Sequence, residues 1–282
     1  NKMFNVSNDV KDSACIWTIK CSMESMRKTV HVFGHQMRCV SHNIKCIITD
    51  FGRLSTQHPK PSVNYIINKI KHSIISQYFQ KTLEIREKYL PADHSDLAIV
   101  YNNIGLVHHS MGDKSTALSY YNKALQIRES LFSTDHFERA ILYSNIGALY
   151  LSMKDYPTAL LYFEKTRKLR ENSLPAYHPS LAIIYNNIGE TYRLMGNHLD
   201  AYSYYKKTIE IKQKSLPPNH PSLVICYSNI AMTLSNLHEY GKAVECVELA
   251  VHIAHNAYES GHFIVKMVEA QLDELHRKLL LT

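Results

Sequence analysis

"YNNIG" occupies residues 101–105, and the chain does not spell it once. "YSNIG" stands at 143–147, "YNNIG" again at 185–189 and "YSNIA" at 227–231, each copy 42 residues after the last. A fixed period of this size marks a repeat architecture, one short unit stacked on copies of itself. The register reaches well beyond five letters. His94, His136, His178 and His220 share it, as do Ala117, Ala159, Ala201 and Ala243. So do Tyr121, Phe163 and Tyr205, with Val247 in the fourth copy. The units close on "LEIRE", "LQIRE", "RKLRE" and "IEIKQ", and the first of these, at 83–87, precedes any "YNNIG". A half-unit over 65–90 therefore opens the array, and units follow at about 91–132, 133–174, 175–216 and 217–258.

Each unit reads as two helices. Leu97, Tyr101, Ile104 and His108 recur at the spacing of one helical face. "SMGDK" interrupts, with Gly112 where a helix end favours a left-handed residue and Asp113 placed to cap the next helix. That second helix sets Ala117, Tyr120, Tyr121, Ala124 and Leu125 on one side. Pro179 and Pro221 then fall in the first turn of the following helix, where a missing N–H costs nothing. Gly105, Gly147 and Gly189 lie inside first helices, so two backbones are expected to approach closely, with the matching alanine as the small partner. A helical hairpin cannot bury its apolar face alone and must stack on its neighbours. The expected fold is all-α: a right-handed α-solenoid over 65–282, closed by an amphipathic capping helix at 260–281. Residues 1–64 are an N-terminal segment and linker, with a strand-like alternation over 1–22 that suggests a β-hairpin.

The pattern resembles the tetratricopeptide repeat family. In the third unit it reads Tyr185, Ile188, Gly189, Tyr192, Gly196, Ala201, Tyr205 and Thr208. The longer period, the "NNIG" run and linkers such as "LPAYHPS" resemble the kinesin light chain subtype. Thr166 and Thr208 depart from the usual alanine and Leu234 from the usual tyrosine, so the last unit reads as degenerate. The resemblance implies a non-catalytic scaffold that binds a peptide in the concave groove of the solenoid. A kinesin light chain-like cargo adaptor is one alternative. Another comes from residues 1–22, whose "IWTIK" strand resembles the last hairpin of arginine-specific ADP-ribosyltransferases. The chain would then be a truncated remnant of such an enzyme carrying C-terminal repeats.

Charge and composition narrow the partners. Residues 1–90 hold 14 Lys+Arg against 6 Asp+Glu, while 91–282 hold 18 against 19. A nucleic-acid groove along the repeats would need basic residues in every copy; none is expected. No stretch is long and apolar enough to span a bilayer, so no membrane partner is expected. Six cysteines in 282 residues are too few for a disulfide scaffold and suit the cytoplasm. His35, Cys39, His42 and Cys46 share a helical face, but one helix closes a tetrahedral zinc site poorly. The four histidines of the repeat stand too far apart to share an ion and are expected to pack or hydrogen-bond at the junctions. No cofactor, small-molecule ligand or metal is expected, and no catalytic set stands out.

The asparagines are the candidate site. Asn103, Asn145, Asn187 and Asn229 recur in every copy although asparagine is a poor helix former. Asn103, Leu106 and Ser110 form a second helical face, which in tetratricopeptide arrays lines the groove. An asparagine amide can both donate to and accept from a peptide backbone, or it can tie adjacent first helices into a ladder. The resemblance favours the peptide. The same stripe varies through Glu190 and Met232 and through Asn236, with Arg193 alongside, and these are expected to set specificity.

Overall fold

The 42-residue period folds as a helical hairpin in every copy. The structure, a computed structural model, describes residues 63–131, 136–259 and 261–281, with side chains from residue 72 onward and without that of His136. The expected hairpin over 1–22, the His35–Cys46 set and the rest of the N-terminal segment up to residue 62 lie outside the described residues. Asn1–Tyr78 and Phe79–Thr282 are separate compact units, and the hairpins belong to the second.

Helix α1 (Val63–Tyr89) is the leading half-unit. The hairpins are α2 (Ser95–Ser110) with α3 (Lys114–Ser130), α4 (His136–Ser152) with α5 (Tyr156–Ser173), α6 (Pro179–Leu194) with α7 (His198–Ser215), and α8 (Ser222–Asn236) with α9 (Tyr240–Ala257). Helix α10 (Phe263–Leu279) ends the array. Each helix packs on its hairpin partner, and each second helix packs on the first helix of the next unit. The result is an α-solenoid, with no strand among the described residues.

The punctuation is local. Asp113 accepts a hydrogen bond from the Thr116 amide, and Asp155 and Asn197 do the same for α5 and α7. Nδ1 of His94, His178 and His220 accepts from the amide two residues on, at 3.1, 3.1 and 3.2 Å. His94 and His178 are therefore helix N-caps, while His220 makes the same bond from the residue before Pro221, which holds the cap position of α8. The residue before each second helix's cap turns left-handed: Gly112 and Gly196 do so freely, but Lys154 (φ 64°) and His238 (φ 61°) do so with a Cβ. That conformation costs an L-residue about 1–2 kcal/mol. Lys154 is exposed. Lys154→Gly is therefore expected to raise the melting temperature by about 2–4 °C. An unchanged melt would show that Lys154 carries no such cost.

The close approach expected at the glycines is real, but its partner differs. A Cβ on Gly147 would stand 2.7 Å from the Phe163 ring, and one on Gly105 2.6 Å from the Tyr121 ring. The nearest partner is thus the aromatic ring one turn beyond the second-helix alanine, and only at Gly189 does the expected alanine, through the Ala201 carbonyl at 3.3 Å, stand among the nearest atoms. In unit four the pair becomes Ala231 and Val247, both fully buried. The larger small residue is matched by a smaller partner.

A second aromatic layer joins the two helices. Tyr120 lies 6.1 Å from Tyr101 and 5.9 Å from His108, with Lys123 above Tyr101 and Tyr120. Tyr143, Tyr150, Tyr162 and Lys165 repeat this arrangement, and so do Tyr185, Tyr192, Tyr204 and Lys207. Each "YxNIG" tyrosine also donates to the glutamate that ends the previous unit: Tyr101 to Glu87 at 2.8 Å, Tyr143 to Glu129 at 3.3 Å, and Tyr185 to Glu171. Burial, helped by Glu87, pushes the Tyr101 phenol up to about 12, so it stays a donor. Unit four puts Cys246 and Leu249 where the second-helix tyrosine and lysine stood, in line with its degenerate pattern.

Helix α10 is more than a lid. It keeps the register of a fifth first helix. His262 caps it through the Ile264 amide at 3.2 Å, and Val265 and Val268 are buried where Leu223 and Cys226 are buried one unit earlier. Yet Glu269, Asp273 and His276 occupy the three positions that face the second helix in other units. A charged side chain thus stands where the close approach demands glycine or alanine.

Candidate functional site

The predicted site residues sit on the first helices of successive hairpins. Asn103, Leu106 and Ser110 lie on α2, Asn145 on α4, Asn187, Glu190 and Arg193 on α6, and Asn229, Met232 and Asn236 on α8. Their common register places them on one stripe, because each helix repeats the setting of the last. Met232 and Asn236 are exposed and the others are half-buried.

The four asparagines do not behave alike. Asn145 Nδ2 donates to Asn102 Oδ1 of the preceding unit at 2.7 Å. Asn229 Nδ2 donates to Asn186 Oδ1 at 3.4 Å, a longer rung of the same kind. Asn187 faces a unit that carries Ser144 where Asn102 and Asn186 stand, and its amide makes no hydrogen bond among the described residues. The Asn103 amide is likewise free there. Gln271 of α10 continues the ladder in place of a fifth asparagine: it accepts from Ser228 Oγ at 2.6 Å and donates to the Ser228 carbonyl at 3.1 Å. Rungs thus join units one to two, three to four, and four to α10.

Charge on the stripe is spent internally. Arg193 binds Glu190 with two bonds, 2.8 and 2.7 Å, and the Tyr205 hydroxyl donates to the same carboxylate at 2.7 Å. Hydrogen bonding to Glu190 raises the Arg193 guanidinium, so the arginine stays charged against that carboxylate. The hydroxyls of Ser110 and Ser152 bond back to the carbonyls of Val107 and Leu149, at 2.7 Å each.

One row of residues escapes the sequence reading. Ile99, Ile141, Ile183 and Ile225 stand one turn before the asparagines in every unit. Ile99 and Ile183 are 43% and 48% exposed, unusual for isoleucine on a helix packed on both sides. The 42-residue register carries the signal, but an isoleucine at helical spacing reads as core. With Leu194 and Met232, each 38% exposed, they make the stripe largely apolar. Free amides set among apolar side chains, with the charges paired, can hydrogen-bond an extended backbone and bury its uncharged side chains.

The tetratricopeptide repeat model matches residues 75–130, 116–172 and 180–254, more than half of the chain. The chain belongs to the tetratricopeptide repeat family. Among solved structures, this tetratricopeptide protein is similar to BtubC (BKLC) from P. vanneervenii, at 17% identity and a TM-score of 0.62 over 74% of this chain and 82% of that one. It is also similar to a putative kinesin light chain from Podosopora anserina with nearly identical repeats, at 16% identity and a TM-score of 0.59 over 68% of this chain and 91% of that one. Identities this low establish a common fold. No curated protein matches the chain. No described helix is long and apolar enough to cross a membrane.

Proposed function

We propose that this tetratricopeptide protein is a non-catalytic scaffold that holds an extended, largely uncharged peptide along the stripe of its first helices. The observation that carries the reading is the Asn187 amide. It stands free at the middle of the array, one turn from exposed Ile183, while Asn145 is tied into the ladder. A half-buried donor and acceptor pair costs little to leave open to water and gains a partner only when a ligand arrives. The paired Glu190 and Arg193 give a charged ligand nothing to read. The free thiols of Cys226 and Cys246 suit a reducing compartment such as the cytoplasm.

The test is a peptide-library selection on the full chain, followed by affinity and melting of single variants. Asn187→Ala is expected to weaken binding about fivefold to tenfold, from one hydrogen bond of about 1 kcal/mol. Its melting temperature should hold or rise, since alanine is the better helix former. Ile183→Ser should weaken binding further without unfolding the chain. Asn145→Ala should instead lower the melting temperature, because it strands the Asn102 carbonyl. Unchanged affinity in both Asn187→Ala and Ile183→Ser would move the ligand off this stripe.

A further inference from the structure

The junctions between units repeat a cation. Arg86, Arg128, Arg170 and Lys212 share the register at the end of each second helix. Each stands against the first turn of the next first helix, and in the first two cases an acid answers it there. Arg86 Nη1 donates to the Asp96 carbonyl at 3.0 Å and lies 3.7 Å from its carboxylate. Arg128 Nη2 lies 3.6 Å from the Glu138 carboxylate. At the third junction the same residue is Ser180. Arg170 Nη1 keeps the carbonyl bond, 2.8 Å to Ser180, but no carboxylate pairs with it among the described residues. Arg170 is only 8% exposed and its Nε is buried without a partner. Burial alone acts on its guanidinium and pushes its pKa down, with no anion to offset it. The first turn of α6 carries no acid at all.

We infer that Ser180 is a phosphorylation site whose phosphate takes the place that Asp96 and Glu138 hold at the other junctions. A protein kinase transfers the γ-phosphoryl group of a nucleoside triphosphate to Ser180 Oγ. The new Oγ–P bond forms as the bond from the γ-phosphorus to the β–γ bridging oxygen breaks; the hydroxyl proton is lost and a nucleoside diphosphate leaves. Ser180 is half-buried as a residue and its hydroxyl makes no hydrogen bond among the described residues, so no bond has to break for transfer. Its phosphate would sit in a helix first turn, where a dianion is favoured, beside a buried guanidinium that binds phosphate in fork geometry. Ser222 holds the same position at the fourth junction and is the weaker candidate. Its hydroxyl is 2.9 Å from His220 Nδ1, and the cation there, Lys212, is half-exposed.

Two measurements on the full chain test this. Phosphoserine placed genetically at position 180 should raise the melting temperature by about 3–8 °C. The gain should disappear in Arg170→Gln and be partly kept in Arg170→Lys, which guards against a variant that fails to fold. The folded chain, incubated with a nucleoside triphosphate and an extract of the cells that express it, should acquire phosphate on Ser180 by peptide mapping. Phosphoserine that melts at or below the parent, or whose gain survives in Arg170→Gln, overturns the proposal. Labelling of other serines with Ser180 untouched also overturns it. So does an Arg170-dependent gain of the parent in millimolar inorganic phosphate with Ser180 unmodified, since the site would then take a free anion.

Discussion

Gly147→Leu is expected to unfold the middle of the array. A first carbon at position 147 already stands 2.7 Å from two atoms of the Phe163 ring, and that ring is completely buried. The ring cannot swing away, because its surroundings in the α5–α6 core are themselves packed tight with Leu181, Ile184 and Ile188. Overpacking ordinarily costs about 1–3 kcal/mol. A rigid partner and four added carbons put this case at about 3 kcal/mol or more, against a helix-propensity gain of at most about 1 kcal/mol. Stability in a stacked array is a sum over neighbours, so the loss spreads to the flanking hairpins. Thermal and urea melts read it directly, and Gly147→Ala should fall between parent and Leu variant. A Leu variant that melts like the parent would mean α4 and α5 are not in the close contact described.

Val247→Tyr should be nearly as damaging, and the damage should be reversible by a second change. Units one to three pair glycine with an aromatic ring, whereas unit four pairs Ala231 with Val247. A tyrosine at 247 would bring its ring against the Ala231 Cβ at the 2.6–3.0 Å separations measured for a carbon added at the three glycines. The expected loss is about 2–3 kcal/mol. Ala231→Gly alone should cost up to about 1 kcal/mol through backbone entropy. The double variant rebuilds the pair of the other units, so it should be more stable than the Val247→Tyr single variant. A coupling of about 1–3 kcal/mol is expected for residues in such contact. Strictly additive losses would show that the two positions are not one packing device.

The period made the hairpins legible, since a repeated Gly–aromatic–Ala pattern has few ways to bury itself. The end of the array was legible only as an amphipathic helix. What hid its register is that Glu269 and Asp273 erase the tyrosine and glycine facing a second helix, while the capping His262 and buried Val265 keep the letters facing the previous unit. The linker histidines could be placed at junctions, but their role as caps needs the geometry of the ring nitrogen. The split among the asparagines was spelled out in the alternation of "YNN" and "YSN". It acquires meaning only when first helices lie side by side, so that residue 145 meets 102 and residue 187 meets 144. Isoleucine exposure depends on which face a neighbour leaves uncovered, and helical spacing alone does not carry that information.

The alternation of Asn and Ser has a mechanical consequence. Between units two and three the second-helix side is stitched: Tyr204 donates to Glu164 at 3.1 Å, Tyr185 to Glu171, and Arg170 to the Ser180 carbonyl. The first-helix side at that junction has no amide rung, although the junctions on either side have one. Apolar contacts fix a separation but tolerate sliding, whereas hydrogen bonds fix alignment. The array is therefore bound along its spine and loose at one page. Bending should concentrate there, opening or narrowing the gap between α4 and α6 with little strain elsewhere. Because Asn187 and Ile183 border that gap, a guest that bridges it also sets the pitch of the whole stack.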